Sequence, residues 1–137
     1  MDVKVQNSFL KVDDPGKAIA FYRDALGFEV RDDVGYHGMR WVTVGPPLQP
    51  DVAIVLEPPV ADPGTSPGDR AAIGDLLAKG LLSGLVLTTA DVDRTFEHVE
   101  ATGADIVQEP MDQDWGVRDF AVRDPAGNLI RIGQARR

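Results

Sequence analysis

Trp115-Gly116-Val117-Arg118-Asp119-Phe120-Ala121-Val122-Arg123-Asp124-Pro125-Ala126-Gly127-Asn128-Leu129-Ile130-Arg131-Ile132 is the most informative stretch of the chain. Two short apolar-rich runs flank Asp-Pro-Ala-Gly-Asn. Pro125 presets φ for the second turn position, Gly127 supplies positive φ without steric cost, and the Asp124 and Asn128 side chains can bond nearby backbone. A β-hairpin is predicted here. Its last strand carries Arg131, a charge among Leu129, Ile130 and Ile132.

Upstream of the hairpin, Val3 to Val12 alternates as a strand, with Ser8, Leu10 and Val12 on one face and Val5, Asn7, Phe9 and Lys11 on the other. Asp14 is suited to cap a helix that Pro15 begins. Ala18, Ile19, Phe21, Tyr22, Ala25 and Leu26 form its apolar stripe, and Gly27 ends it. Strands are predicted over Phe28 to Val34, Met39 to Val44 and Val52 to Glu57. They are separated by a Gly35-Tyr36-His37-Gly38 turn and by the Gly45-Pro46-Pro47 break. Pro58 to Gly68 reads as a linker, Asp69 to Lys79 as a short helix, Leu82 to Thr89 as a strand. A helix over Asp91 to Thr102 ends at Gly103, and Asp105 to Glu109 opens the last three strands.

The order strand, helix, three strands therefore occurs twice. Leu10-Lys11-Val12-Asp13-Asp14 and Leu87-Thr88-Thr89-Ala90-Asp91 both close a strand and cap a helix. Gly27 and Gly103 end those helices. One supersecondary unit used twice is the reading. Either unit alone has too little core, so residues 1–137 are expected to fold as one domain. Module one takes residues 1–57, the linker and short helix 58–81, and module two 82–137.

At 137 residues, 43% hydrophobic and 26% charged, the composition is that of a globular protein. The net charge of −8 argues against nucleic acid or an anionic membrane surface as partner. With no cysteine, disulfides, thiolate nucleophiles and Cys-ligated metals are excluded. No stretch approaches the ~20 apolar residues of a membrane span, and the N-terminus lacks a signal-peptide pattern, so a cytoplasmic location is expected.

A doubled βαβββ unit carrying Asp-Pro-Gly-Lys-Ala-Ile-Ala-Phe-Tyr-Arg-Asp-Ala-Leu-Gly-Phe in its first half and Val-Arg-Asp-Pro-Ala-Gly-Asn-Leu-Ile at its end resembles the vicinal oxygen chelate superfamily. That superfamily includes glyoxalase I, bleomycin-resistance proteins, fosfomycin-resistance transferases and extradiol dioxygenases. The resemblance implies an α+β fold in which two βαβββ modules form cupped, barrel-like mixed sheets with helices outside, and it implies a homodimer. Metal-using members place His, Gln or Glu at four inward positions. Alignment puts these at Asn7, Val55, Leu85 and Arg131, none a usual ligand. Val and Leu offer no donor, and Arg brings a permanent positive charge. No metal and no cofactor are expected, which points towards members that bind and sequester a compound.

The expected ligand-binding residues are Asn7, Phe9, Trp41, Thr43, Val55, Glu57, Leu85, Trp115 and Arg131. Phe9, Trp41 and Trp115 would form an aromatic wall able to stack a flat ligand. Asn7, Glu57 and Arg131 would orient it. Arg131, if inward, either pairs with a carboxylate such as Glu57 or Asp119 or meets an anionic ligand; at the rim it would reach water. The expected function is metal-independent binding of a small molecule such as an antibiotic or metabolite. The alternative is a glyoxalase-like lyase or isomerase, or a dioxygenase-related enzyme, with Glu57 or His37 as base and with or without a metal at non-standard ligands.

Overall fold

A computed structural model describes residues 1–136. The elements run β1 (Ser8–Lys11), α1 (Pro15–Ala20), β2 (Glu29–Tyr36), β3 (Met39–Gly45), β4 (Ile54–Glu57), α2 (Pro67–Ala78), β5 (Gly84–Thr89), α3 (Val92–Ala101), β6 (Asp105–Asp112), β7 (Arg118–Arg123) and β8 (Leu129–Gln134). They make two four-stranded mixed sheets of identical topology, β1-β4-β3-β2 and β5-β8-β7-β6. In each, the first strand is a sheet edge parallel to the fourth, and the other pairings are antiparallel. The sheets are cupped and not closed into barrels.

Local chemistry sets the helix starts. Asp14 accepts a hydrogen bond from Lys17 N–H, and Asp91 accepts one from Arg94 N–H, two equivalent caps in the two modules. Ser66 caps α2 by accepting from Asp69 N–H, with Pro67 at the first turn. The helix therefore begins inside the stretch expected to be linker. Beyond α1 the chain continues as a π turn over Phe21–Ala25, in which Leu26 N–H reaches Phe21 O at 3.3 Å. The wider turn buries the consecutive Phe21 and Tyr22 together.

Other boundaries also differ from expectation. β1 starts at Ser8, not Val3, because its partner β4 starts at Ile54, and residues 1–7 have no strand beside them. β2 runs on to Tyr36, leaving His37 and Gly38 as a two-residue turn with φ of 50° and 75°. β5 begins at Gly84 and β6 extends to Asp112. Both modules carry a bulge at the same place, between Val30 and Asp32 and between Ile106 and Gln108.

One apolar core joins the modules. Leu10, Val42 and Leu56 of the first sheet and Phe120, Ile130 and Ile132 of the second belong to the same buried cluster as Tyr22, Val92 and Val99 of the helices. The Asp-Pro-Ala-Gly-Asn turn locks the two together. Asp124 Oδ1 accepts from the N–H groups of Ala126, Gly127 and Asn128, while its Oδ2 accepts from Tyr22 Oη at 2.7 Å and from Asn128 Nδ2 at 2.9 Å. Asn128 Nδ2 also donates to Lys11 O at 2.8 Å. Among the described residues no helix is long and apolar enough to cross a membrane.

Candidate ligand site

Strand register fixes which side chains share the face turned away from the core. In the first sheet Phe9 pairs with Val55, Val55 with Thr43 and Thr43 with Asp32, so these four form one row across the strands. In the second, Val86 pairs with Arg131, Arg131 with Ala121 and Ala121 with Gln108. The rows are equivalent: Val86 stands for Phe9, Arg131 for Val55 and Gln108 for Asp32. Lys11 and Glu57 lie next along the first face and pair at 3.4 Å, and Trp41 is partly buried on β3 two residues from Thr43.

Leu85 does not belong to this face. It pairs with Ile130 and packs on the buried core, while Val86 takes the place beside Arg131. The expected alignment was one residue out on β5, and with a two-residue side-chain period one step reverses the face. Asn7 is exposed and precedes the paired part of β1. Trp115 is exposed on the β6–β7 loop, and Phe9, Trp41 and Trp115 make no ring–ring contact with one another within the chain. His37 sits exposed at the tip of the β2–β3 hairpin, its ring 4.1 Å from that of Tyr36. Glu57 accepts its hydrogen bond from Lys11 Nζ.

Arg131 is held by a polar cluster. Its Nη1 donates to Asp119 Oδ2 at 3.1 Å and to Gln108 Oε1 at 3.0 Å. Asp119 Oδ1 accepts from Gln108 Nε2 at 3.0 Å and from Gln113 Nε2 at 2.8 Å. The Asp119 side chain is 3% exposed and that of Arg131 32%. Burial raises the Asp119 pKa, but the hydrogen bonds from Gln113, Gln108 and Arg131, with the Arg131 charge, outweigh it and hold the carboxyl below its ordinary value. Of the two carboxylates weighed for Arg131, Asp119 is the partner and Glu57 is not. Only Nη1 is engaged, and among the described residues Nε and Nη2 make no hydrogen bond.

Sequence reasoning did not include Gln108, Gln113 or Val86 in the site. The bulge before Gln108 breaks the alternation that would have aimed it at Arg131, and Gln113 lies outside the strand predicted for that region. The donor set does not suit a divalent cation: of the four aligned positions Val55 and Leu85 offer no donor and Arg131 carries a positive charge, and no three His, Cys, Asp or Glu side chains cluster among the described residues.

Two cavities flank these faces. One of about 350 Å³ lies beside Arg131 and Leu129, along Gly80 to Val86. A larger one of about 850 Å³ lies between the modules, with β5 on one side and the Ala25–Phe28 and Pro46–Gln49 segments on the other. Its lining includes none of the expected ligand-binding residues.

Comparison with known proteins agrees with this architecture. UcmS2, a solved structure, is 32% identical, covers 98% of this chain and 100% of its own, and superposes with a TM-score of 0.86. TnmS3 from Streptomyces sp. CB03234, described as an antibiotic binding protein, is 29% identical with 99% of both chains covered and a TM-score of 0.74. YurT of Bacillus subtilis (strain 168) is 28% identical over 134 residues, 96% of this chain and 99% of that protein. The family model described as Glyoxalase/Bleomycin resistance protein/Dioxygenase superfamily matches residues 5–132. The doubled fold, its repeated register and this match together mean that the chain belongs to that superfamily.

Proposed function

We propose that this protein binds a small organic molecule that has a flat apolar body and an anionic or strongly accepting group, without a metal. Arg131 carries the reading. It stands on the open face of the second sheet, anchored through one nitrogen by a buried carboxylate and a glutamine, with its other donors free for a ligand. An arginine fixed in advance loses little freedom when it binds a carboxylate or phenolate. Phe9, Trp41, Thr43 and Val55 on the first sheet supply apolar and aromatic area. The likeness to TnmS3 supports this class of ligand, an antibiotic or related metabolite. Asn7, Glu57 and Trp115 are proposed at the rim of the same site.

The working form in this reading is a cytoplasmic homodimer. Phe9 is 53% exposed and Val86 81% exposed on the two open faces. Apolar side chains displayed in this way gain when a second copy closes over them.

Calorimetric titration with planar aromatic antibiotics and metabolites, each acid compared with its methyl ester, tests the proposal. Acids are expected to bind and esters to bind more weakly. Arg131→Gln is expected to weaken the acids by about 10- to 100-fold, the worth of a hydrogen bond to a charged group. Equal affinity of the variant for acids and esters at wild-type strength removes Arg131 from the site.

A further inference from the structure

We propose that the hollow of about 350 Å³ beside Arg131 is a subsite for a hydrophobic monocarboxylate. The carboxylate sits on the open edge of the Arg131 guanidinium, and the carbon body attached to it lies among leucines. This subsite rests on the binding function proposed above and names the class of ligand that it selects. Leu81, Leu82, Val86 and Leu129 line the hollow, and among the described residues Arg131 is its only charged side chain. Leu81 is 66% exposed and Val86 81%, so apolar surface stays in water around one cation. Covering that surface is the main gain open to a ligand there.

Local backbone chemistry builds the wall. Gly80 closes α2 with φ of 72°, its N–H donating to Leu77 O at 2.9 Å and that of Leu81 to Leu76 O at 3.0 Å. These bonds fix where the chain leaves α2 for β5 and so hold Leu81 in place. Gly84 then pairs with Leu129 and brings no side chain to the face that it shares with Val86 and Arg131. A Cβ at Gly84 would run into the Leu129 carbonyl. The floor is therefore bare backbone, and a hollow fixed in advance loses little freedom when it is filled.

The donors set the ligand class. Arg131 Nη1 is committed to Asp119 and Gln108, which leaves Nε and Nη2, the side-on pair whose spacing matches the two oxygens of a carboxylate. Asp119 already balances the Arg131 charge, and the chain carries −8 overall. A second negative charge on the ligand, as in a dicarboxylate or a phosphate ester, meets no further cation in the hollow and is repelled. The volume lies near the lower end of the ~300–1,000 Å³ of ligand pockets, which suits a body of one or two rings.

Calorimetric titration and methyl NMR of the full chain with naphthoate, its methyl ester and naphthalene dicarboxylate test the subsite. Naphthoate is expected to shift the methyl signals of Leu81, Leu82 and Leu129 and to leave those of Thr43 and Val55 in place. The ester and the dicarboxylate are each expected to bind at least about tenfold more weakly than naphthoate. Leu82→Ala is expected to weaken naphthoate about tenfold, and Leu81→Glu, at an exposed position, to weaken it more than it weakens the ester. Naphthoate binding that depends on Arg131 but shifts Thr43 and Val55, and is indifferent to both leucine variants, overturns the subsite while leaving the proposed function standing. A dicarboxylate bound as tightly as naphthoate overturns the choice of a monoanion. Absence of naphthoate binding overturns the subsite, and absence of binding by every acid of the wider panel overturns the proposed function as well.

Discussion

Arg131 and Asp119 show how a single buried carboxylate can prepare a site. Because the Asp119 pKa is lowered in the folded chain, its ionised form stabilises the fold above its ordinary pKa of about 3.9, and that contribution is lost as pH falls through the folded value. Asp119→Asn is expected to cost about 1–3 kcal/mol near neutral pH, with the difference from wild type shrinking below about pH 4. Urea denaturation at a series of pH values measures both quantities. Tyr22 behaves differently. Burial first, then the charge of Asp124 and the bond to it, raise its pKa far above the ordinary value, so its hydroxyl stays a donor. Tyr22→Phe leaves Asp124 short of a partner and is expected to cost about 1–3 kcal/mol without affecting ligand affinity, a separation that parallel unfolding and titration experiments detect. At this scale the sequence pointed to Arg131 and offered Asp119 as one of two partners. It gave no sign of Gln108 and Gln113, whose role depends on a bulge and a loop.

Turns and edges are the elements that the residues encode most directly. The Asp-Pro-Ala-Gly-Asn turn was legible because each residue has a backbone task of its own. Gly127 has φ of 114°, and a Cβ there would run into the carbonyl oxygens of Leu77 and Ala78. Gly127→Ala is expected to destabilise the protein by at least about 1–3 kcal/mol through backbone strain alone, read from its denaturation midpoint. Arg31 performs a comparable task that composition does not reveal. Its guanidinium donates to the carbonyls of Pro46, Gln49, Pro50 and Val52, fixing the β3–β4 loop against β2. Arg31→Ala is expected to speed amide exchange selectively across residues 46–52 while strands β1, β4 and β3 keep their protection. Strand ends were less legible, as β1 shows. Val3 to Asn7 alternates as well as Ser8 to Lys11 does, and only the second segment has β4 beside it.

For the whole molecule, self-association and ligand binding both enter the measured stability. If the open faces close on a second copy, the thermal midpoint rises with protein concentration, and a ligand at 100 times its Kd adds about 2.7 kcal/mol. Differential scanning calorimetry over a concentration series, with and without an acid identified by titration, measures the two effects separately. The sequence by itself determined the doubled βαβββ plan, the helix caps at Asp14 and Asp91, and the hairpin that ends in Arg131. Those features follow from side-chain periodicity and from local backbone preferences, which act within a few residues. Tertiary structure alone decided that Val86, not Leu85, shares a face with Arg131, that Asp119 anchors it, and that Asn128 and Tyr22 bind the modules together. These depend on register and on contacts between residues far apart in the chain. A one-residue slip leaves local preferences unchanged and reverses every side chain of a strand, so only packing against the common core selects the face.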